Sequence, residues 1–106
     1  MAFTIEHLYK ARDFVELKNI STSQIELTFK NPIMAMLAKG KVAEIAQQCN
    51  PDSPFTSCVQ TGNDLVMTFN PEVMNQMLLG KVFSGSDDEA KEAVKQLSEH
   101  IAKAMA

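Results

Sequence analysis

The residues with the most obvious chemical potential are two Gly-Lys pairs, Gly40-Lys41 and Gly80-Lys81, which lie in similar segments of the chain. In a P-loop, such a pair follows another glycine by five residues and precedes Ser or Thr, because backbone N–H groups cradle phosphate and the hydroxyl holds magnesium. The residues at these positions are Ala35 and Val42 around the first pair and Asn75 and Val82 around the second. The sequence therefore predicts no nucleotide site.

The other groups that could act as bases or metal ligands have ordinary structural explanations. His7 and His100, the two histidines, each fall on the polar side of a predicted helix, where a solvated imidazole is usual. The acidic run 87–89 begins a predicted helix, and carboxylates there stabilise the positive end of the helix dipole. We therefore expect no catalysis, no metal ion and no cofactor.

Cys49 and Cys58 flank the segment NPDSPFTS, with a spacing that matches no common zinc signature. Reduced, partly buried thiols are favoured over a disulfide in a reducing compartment. The sequence shows no basic start followed by an apolar run, and no apolar stretch approaches the roughly 18 residues of a membrane span. These features predict a cytoplasmic protein with no membrane partner.

The composition is that of a folded domain. Of 106 residues, 45% are apolar and 22% charged, and the formal net charge is −3. This length predicts a single domain over residues 1–106. A net negative chain without a basic patch argues against binding nucleic acid.

The first half of the chain predicts a short helix and a hairpin. A helix is expected near residues 5–12, with Thr4 as its N-cap and Phe3 and Leu8 as a hydrophobic staple. The segments FVELK and QIELTF alternate apolar and polar residues around the turn-like NISTS, which predicts an antiparallel hairpin. Its inward-facing residues are predicted to be Val15, Leu17, Ile25, Leu27 and Phe29.

The segment TFKNPIMAMLAKGKV at 28–42 returns at 68–82 as TFNPEVMNQMLLGKV. In each copy Asn-Pro supplies an N-cap and a first helical residue, and glycine supplies a stop. This predicts helices over Pro32–Lys39 and Pro71–Leu79, the first followed by a second helix, or resumed after a kink, to Cys49. The similarity is either common strand–helix punctuation or a true internal duplication.

The remaining elements follow from local signals. Residues 50–57 are predicted as a loop, 65–69 as a strand and 87–104 as a helix, whose capping box is Ser86 with Glu89. The fold class is therefore α+β, a mostly helical small domain with an N-terminal β-hairpin.

Methionines are concentrated in the two short helices. Because Met is unbranched and adaptable, Met-rich faces can accept varied apolar partners, although single methionines more often fill a core. We predict that the two helices together form a groove for amphipathic helical segments of a protein partner. Its candidate contacts are Met34, Met36, Leu37, Met74, Met77 and Leu78.

Residues 3–42 resemble the opening of small tail assembly chaperones encoded by tailed phages and prophages of Gram-positive bacteria. The order of a short helix, a DFVELK-type strand, a second strand ending in a basic residue, and a Pro-started apolar helix closing on Ala-x-Gly-Lys is similar. The matching positions are Ile5, Phe14, Val15, Ile25, Leu27, Lys30, Pro32, Leu37, Ala38, Gly40, Lys41 and Val42. In that family Pro-Asn-Pro typically follows the Gly-Lys-aliphatic triplet, whereas Ala43-Glu44-Ile45 follows here.

The resemblance implies a non-enzymatic role: binding the helical tape-measure protein and keeping it in solution while the tail tube assembles. A different possibility is a small acidic regulatory or inhibitory protein that acts on a host enzyme by surface contact. The neighbouring genes distinguish the two. Homo-oligomers are compatible with either role.

Overall fold

The computed structural model describes residues 5–104, so the predicted N-cap Thr4 and staple residue Phe3 lie outside the described residues. Within 5–104 the chain forms four helices and four strands. In chain order they are α1 (Ile5–Ala11), β1 (Val15–Ile20), β2 (Gln24–Phe29), α2 (Pro32–Gln48), β3 (Phe55–Thr61), β4 (Asp64–Phe69), α3 (Gln76–Ser84) and α4 (Asp87–Ala104). The α+β class is confirmed, as is the N-terminal hairpin.

The strands form one antiparallel sheet in the order β1-β2-β4-β3. Along the central strands, buried residues alternate with exposed or half-buried ones, so one face carries the core and the helices cover it. The predicted inward residues Val15, Ile25, Leu27 and Phe29 are buried, and Leu17 is half-buried against them. The period of two therefore placed the correct face of the first hairpin inward.

The central strands are related by a two-fold axis through the sheet. Adding forty to a residue of β2 gives its equivalent in β4. Ile25 pairs with Met67, and their equivalents, Leu65 and Leu27, also pair. The register is therefore unchanged when the two strands are exchanged.

The outer strands and the helices obey the same symmetry. Val15 pairs with Phe29 in the first hairpin, and the equivalent residues Phe55 and Phe69 pair in the second. α2 lies over β3, and α3 lies over β1. The sequence similarity is thus a structural repeat, β1-β2-α2 (the first repeat, 15–48) and β3-β4-α3 (the second repeat, 55–84). The offset is forty at the strand pairs described above and at the Gly-Lys pairs, and thirty-nine at the Asn-Pro pairs.

The two Gly-Lys glycines do not end helices, contrary to the sequence-based prediction. Gly40 lies inside α2, which is one continuous helix, and Gly80 lies inside α3. Of the described glycines, Gly62 alone has a positive φ, at 61°. A helical Gly costs only about 1 kcal/mol relative to Ala, and the flanking residues are mostly good helix formers. That local cost is too small to interrupt the packing of either helix.

The start of α3 was also predicted wrongly. Asn70 caps a turn instead of a helix: its side-chain oxygen accepts from the Glu72 N–H at 3.0 Å, and its carbonyl from the Met74 N–H at 2.8 Å. A second asparagine, Asn75, then caps α3 by accepting from the Leu78 N–H at 3.1 Å. The equivalent prediction for α2 is confirmed, because Asn31 accepts from the Met34 N–H at 2.9 Å.

Strand β3 includes the end of the predicted loop 50–57 and was missed. It follows Pro54 and has several polar residues, so its alternation is weak. A bulge between Phe55 and Ser57 interrupts the register, and β3 lies at the edge of the sheet, where such irregularity is tolerated.

The last helix and its cap are as predicted. Ser86 Oγ accepts from the Glu89 N–H, and Glu89 accepts from the Ser86 N–H, both at 3.2 Å. Arg12, at the end of α1, reaches the α3–α4 junction: its Nη1 lies 2.7 Å from Asp87 Oδ1, and its Nη2 donates to the Gly85 carbonyl. These contacts hold the end of α1 against the α3–α4 junction.

Candidate functional site

The six predicted contact residues have three different environments. Leu37 is 78% exposed, Met36 68% and Met77 74%, which is unusual for large apolar side chains. Met34 and Leu78 are half-buried and pack against the core. Met74 is only 1% exposed, so it belongs to the core and cannot contact a partner in this fold.

The structure does not bring Met77 into one groove with the exposed residues of α2. Met77 opens α3 at the Ile20 end of β1, since Gly80, one turn later, would place a Cβ 4.0 Å from Ile20 Cδ1. α2 instead begins directly after Phe29, at the opposite end of the sheet. The two-helix groove predicted from the sequence is therefore corrected: its two halves lie at opposite ends.

Two of the six residues, Met34 and Leu37, line a different apolar cleft, which we call the α1–α2 cleft. On the α1 side its wall includes Leu8 and Phe14. The cavity has a volume of about 460 Å³, within the roughly 300–1,000 Å³ of typical ligand clefts. It can receive several large apolar side chains but not a whole helix.

The sheet provides the floor of the cleft. Leu27, Leu65 and Met67 of the central strands line it from below, and Phe83 of α3 closes one side. These residues are each 8% exposed or less. The floor is thus a rigid part of the core, and the walls come from two helices that do not pack extensively on each other.

Exposed apolar side chains continue from the cleft onto the surface. Phe14 and Leu37, both of which line the cleft, are 49% and 78% exposed. Ile33 and Met36 extend this surface along the first two turns of α2. A contiguous apolar surface of this kind is typical of an interaction site.

The charges at the cleft differ in sign from the net charge of the chain. Its described lining includes Lys10 and Lys41 but no Asp or Glu, whereas the whole chain is acidic. Lys41 Nζ lies 3.5 Å from Glu44 Oε2, one turn along α2, so its charge is partly balanced. His7 also lines the cleft. The mouth is therefore weakly basic around an apolar interior.

The cysteines are not activated nucleophiles. Both are free thiols, with Cys49 half-buried and Cys58 buried. Burial, and to a smaller extent the charge of Cys49, raise the pKa of Cys58 to about 11. Burial also raises the pKa of Cys49. Because the thiolate is the reactive form, neither residue is suited to nucleophilic chemistry.

The arrangement of the other candidate groups offers no cradle for metal or phosphate. Among residues 5–104, no group of three or more His, Cys, Asp or Glu side chains could hold a metal ion. Lys41 and Lys81 lie within helices, not after a glycine-rich loop at a helix N-terminus. Their neighbouring backbone N–H groups are therefore engaged in helical hydrogen bonds.

The α2 wall of the cleft was predicted from the sequence, and the α1 wall was not. The α2 wall was predictable because the predicted two-turn helix has more apolar residues than such a helix can bury. The α1 wall was not predicted, since Leu8 was assigned to a hydrophobic staple and Phe14 to no contact. Phe14 carried a weak signal, because it stands out of phase with the buried residues of β1 that follow it.

Comparisons of the chain with protein-family models, with curated proteins and with solved structures found no match. No helix among residues 5–104 is both long enough and apolar enough to cross a membrane.

Proposed function

We propose that this protein is a phage tail assembly chaperone that binds amphipathic helical segments of a tape-measure protein, without catalysis. The observation that carries the proposal is the α1–α2 cleft, an apolar site with exposed Phe14 and Leu37 at its walls. A helix that lies across the opening would insert one apolar face and keep its polar face in water.

Adaptable side chains support this type of binding. Met34 lines the cleft and Met36 lies beside it on α2. Unbranched, flexible Met side chains can repack around apolar residues of different shapes. A tape-measure protein would present many similar but unequal helical segments, so tolerance of sequence is more useful to such a chaperone than tight selectivity.

The test is co-expression with a phage tape-measure protein, measuring how much of that protein stays in solution. Leu37→Gln and Phe14→Gln should weaken binding by about 1–4 kcal/mol each, the range for interface anchors. Both side chains are substantially exposed, so the variants should melt close to wild type.

Two control variants replace exposed apolar residues outside the cleft with the same residue, Gln. Val59 is 57% exposed on the edge strand β3, and Met77 is 74% exposed at the start of α3. Neither residue lines the cleft. Val59→Gln and Met77→Gln should keep as much of the tape-measure protein in solution as wild type does. Failure of wild type to keep it in solution, or equal activity of the Leu37 and Phe14 variants, would refute the proposal.

A further inference from the structure

The two repeats differ in what covers them. In the second repeat α4 packs along α3. Ile101 of α4 lines the same cavity as Phe55 of β3, and His100 Nε2 lies 3.2 Å from the Glu72 carbonyl oxygen. In the first repeat, α2 packs mainly on β3 and β2, and among the described elements no helix lies along it to a comparable extent. The open cleft lies on this uncovered side.

An offset of forty relates the cleft to the second repeat in the strands and at the Gly-Lys pairs. Val15 of the cleft is equivalent to Phe55, and Lys41 of the cleft is equivalent to Lys81. The two repeats therefore carry a lysine at the same position of α2 and α3.

The helix that packs on α3 shows what chemistry α3 accepts beside it. α4 is strongly amphipathic: its buried residues are Ala90, Ala93 and Leu97, and its first turn is acidic. The pKa of Glu89 in that turn is lowered, mainly by hydrogen bonds from Ser86 and further by the charge of Lys81. Lys81 is the equivalent of Lys41 at the cleft.

We propose that the α1–α2 cleft takes an amphipathic helix with an acidic flank, whose apolar face lies over the opening. Lys41 and Lys10, which line the cleft, pair with the carboxylates of this helix, and the apolar floor receives its large side chains. Glu44 Oε2 lies 3.5 Å from Lys41 Nζ. A carboxylate of the bound helix must therefore replace Glu44 as the partner of Lys41 or share Lys41 with it. This inference rests on the proposed function and adds the charge of the bound segment.

The test uses two synthetic helical peptides of the length of α4, with identical Leu and Ala faces and flanks of Glu in one and Lys in the other. Dissociation constants are measured by fluorescence anisotropy at low and high salt. The Glu peptide should bind about tenfold more tightly at low salt, and added salt should reduce the difference. Leu37→Gln should weaken binding of both peptides.

Reversing the charges of the cleft lysines tests whether they cause the preference for the Glu peptide. In Lys10→Glu/Lys41→Glu the preference should disappear or invert. The matched control, Lys91→Glu/Lys95→Glu, changes two exposed lysines of α4 that do not line the cleft and should keep the preference.

The outcomes separate the two proposals. Equal binding of both peptides, with loss in Leu37→Gln, overturns the acidic flank and leaves the proposed function standing. A preference that persists in the cleft double variant also overturns it. Binding of neither peptide overturns both proposals. A dimer of the full chain that Leu37→Gln dissociates would show that a second copy occupies the cleft, and would likewise overturn the inference.

Discussion

Glu26 and Val66 pair with each other at the centre of the sheet, and they are equivalent residues of the two repeats. A residue can pair with its own equivalent only where a two-fold axis passes between the strands. The two halves therefore supply matching parts of one core, and neither buries its apolar face alone. The two repeats differ in the helices that pack on them from outside. α1 and α4 pack against each other and against α3, which belongs to the second repeat.

The glycine of the first Gly-Lys pair should be dispensable for folding. Gly40 lies in the middle of α2, and a Cβ there would meet no atom within 4 Å. Gly40→Ala should therefore raise the free energy of unfolding by about 0.5–1 kcal/mol, because Ala loses less backbone entropy in a helix. Urea titration measures the change.

The control for this prediction is Gly85, which closes α3. A Cβ at Gly85 would lie 2.7 Å from the Lys81 carbonyl oxygen, a backbone atom that cannot move aside cheaply. Gly85→Ala should destabilise the protein by about 1–3 kcal/mol, the range for steric overpacking. If Gly40→Ala destabilised the protein as much, our placement of Gly40 on an open helix surface would be wrong.

The last helix should contribute stability through both its cap and its buried stripe. Ser86→Ala removes one half of the capping box and should cost about 0.5–2 kcal/mol. Leu97 is 0% exposed, so Leu97→Ala should cost about 2–5 kcal/mol through lost burial and a cavity. Denaturant unfolding with both variants checks the order. A nearly neutral Leu97→Ala would mean that α4 does not pack on the core as described.

Signals with a local physical cause were predictable from the sequence. The Ser86–Glu89 box and the Asn31 cap each need only a few adjacent residues, so their hydrogen bonds could be predicted. The first hairpin was predictable because its alternation has a period of two. In contrast, Asn70 and Asn75 are both good caps five residues apart, and tertiary packing of α3 decides between them.

The position of the cleft depends on how distant segments of the chain are arranged in space, which the sequence patterns do not show. The predicted groove joined Met36 and Met77 because both lie on short helices rich in methionine. The two-fold symmetry that relates those segments also places them at opposite ends of the sheet. The cleft instead forms where α1 approaches α2, and Leu8 and Leu37 come together only through the sheet between them. Its position could not follow from either segment alone.

The Gly-Lys pairs should have no role in nucleotide binding. Both lysines lie inside helices, without free backbone N–H groups to surround a phosphate. Addition of Mg-ATP should not shift the melting temperature of wild type, Lys41→Ala or Lys81→Ala. A shift of several degrees in wild type that either variant abolishes would contradict this prediction, since a ligand stabilises the state it binds.

Stability should fall at alkaline pH through Cys58. The pKa of its thiol is raised from 9.0 to about 11 in the folded protein, chiefly by burial. A raised thiol pKa means that the folded state holds its proton more tightly than the unfolded state. The stabilisation is therefore full below about pH 9 and is lost as the pH rises through about 11.

The comparison of wild type with Cys58→Ala isolates this effect from other groups that titrate in the same range. The variant loses some packing at every pH, but its free energy of unfolding should fall less steeply between pH 9 and pH 11 than that of wild type. Cys49→Ala serves as the control, because Cys49 is half-buried and its own pKa is raised by a weaker burial. Parallel pH profiles for wild type and Cys58→Ala would show that the Cys58 thiol ionises as readily in the folded protein as in the unfolded chain, and would contradict the burial of this side chain beneath α2.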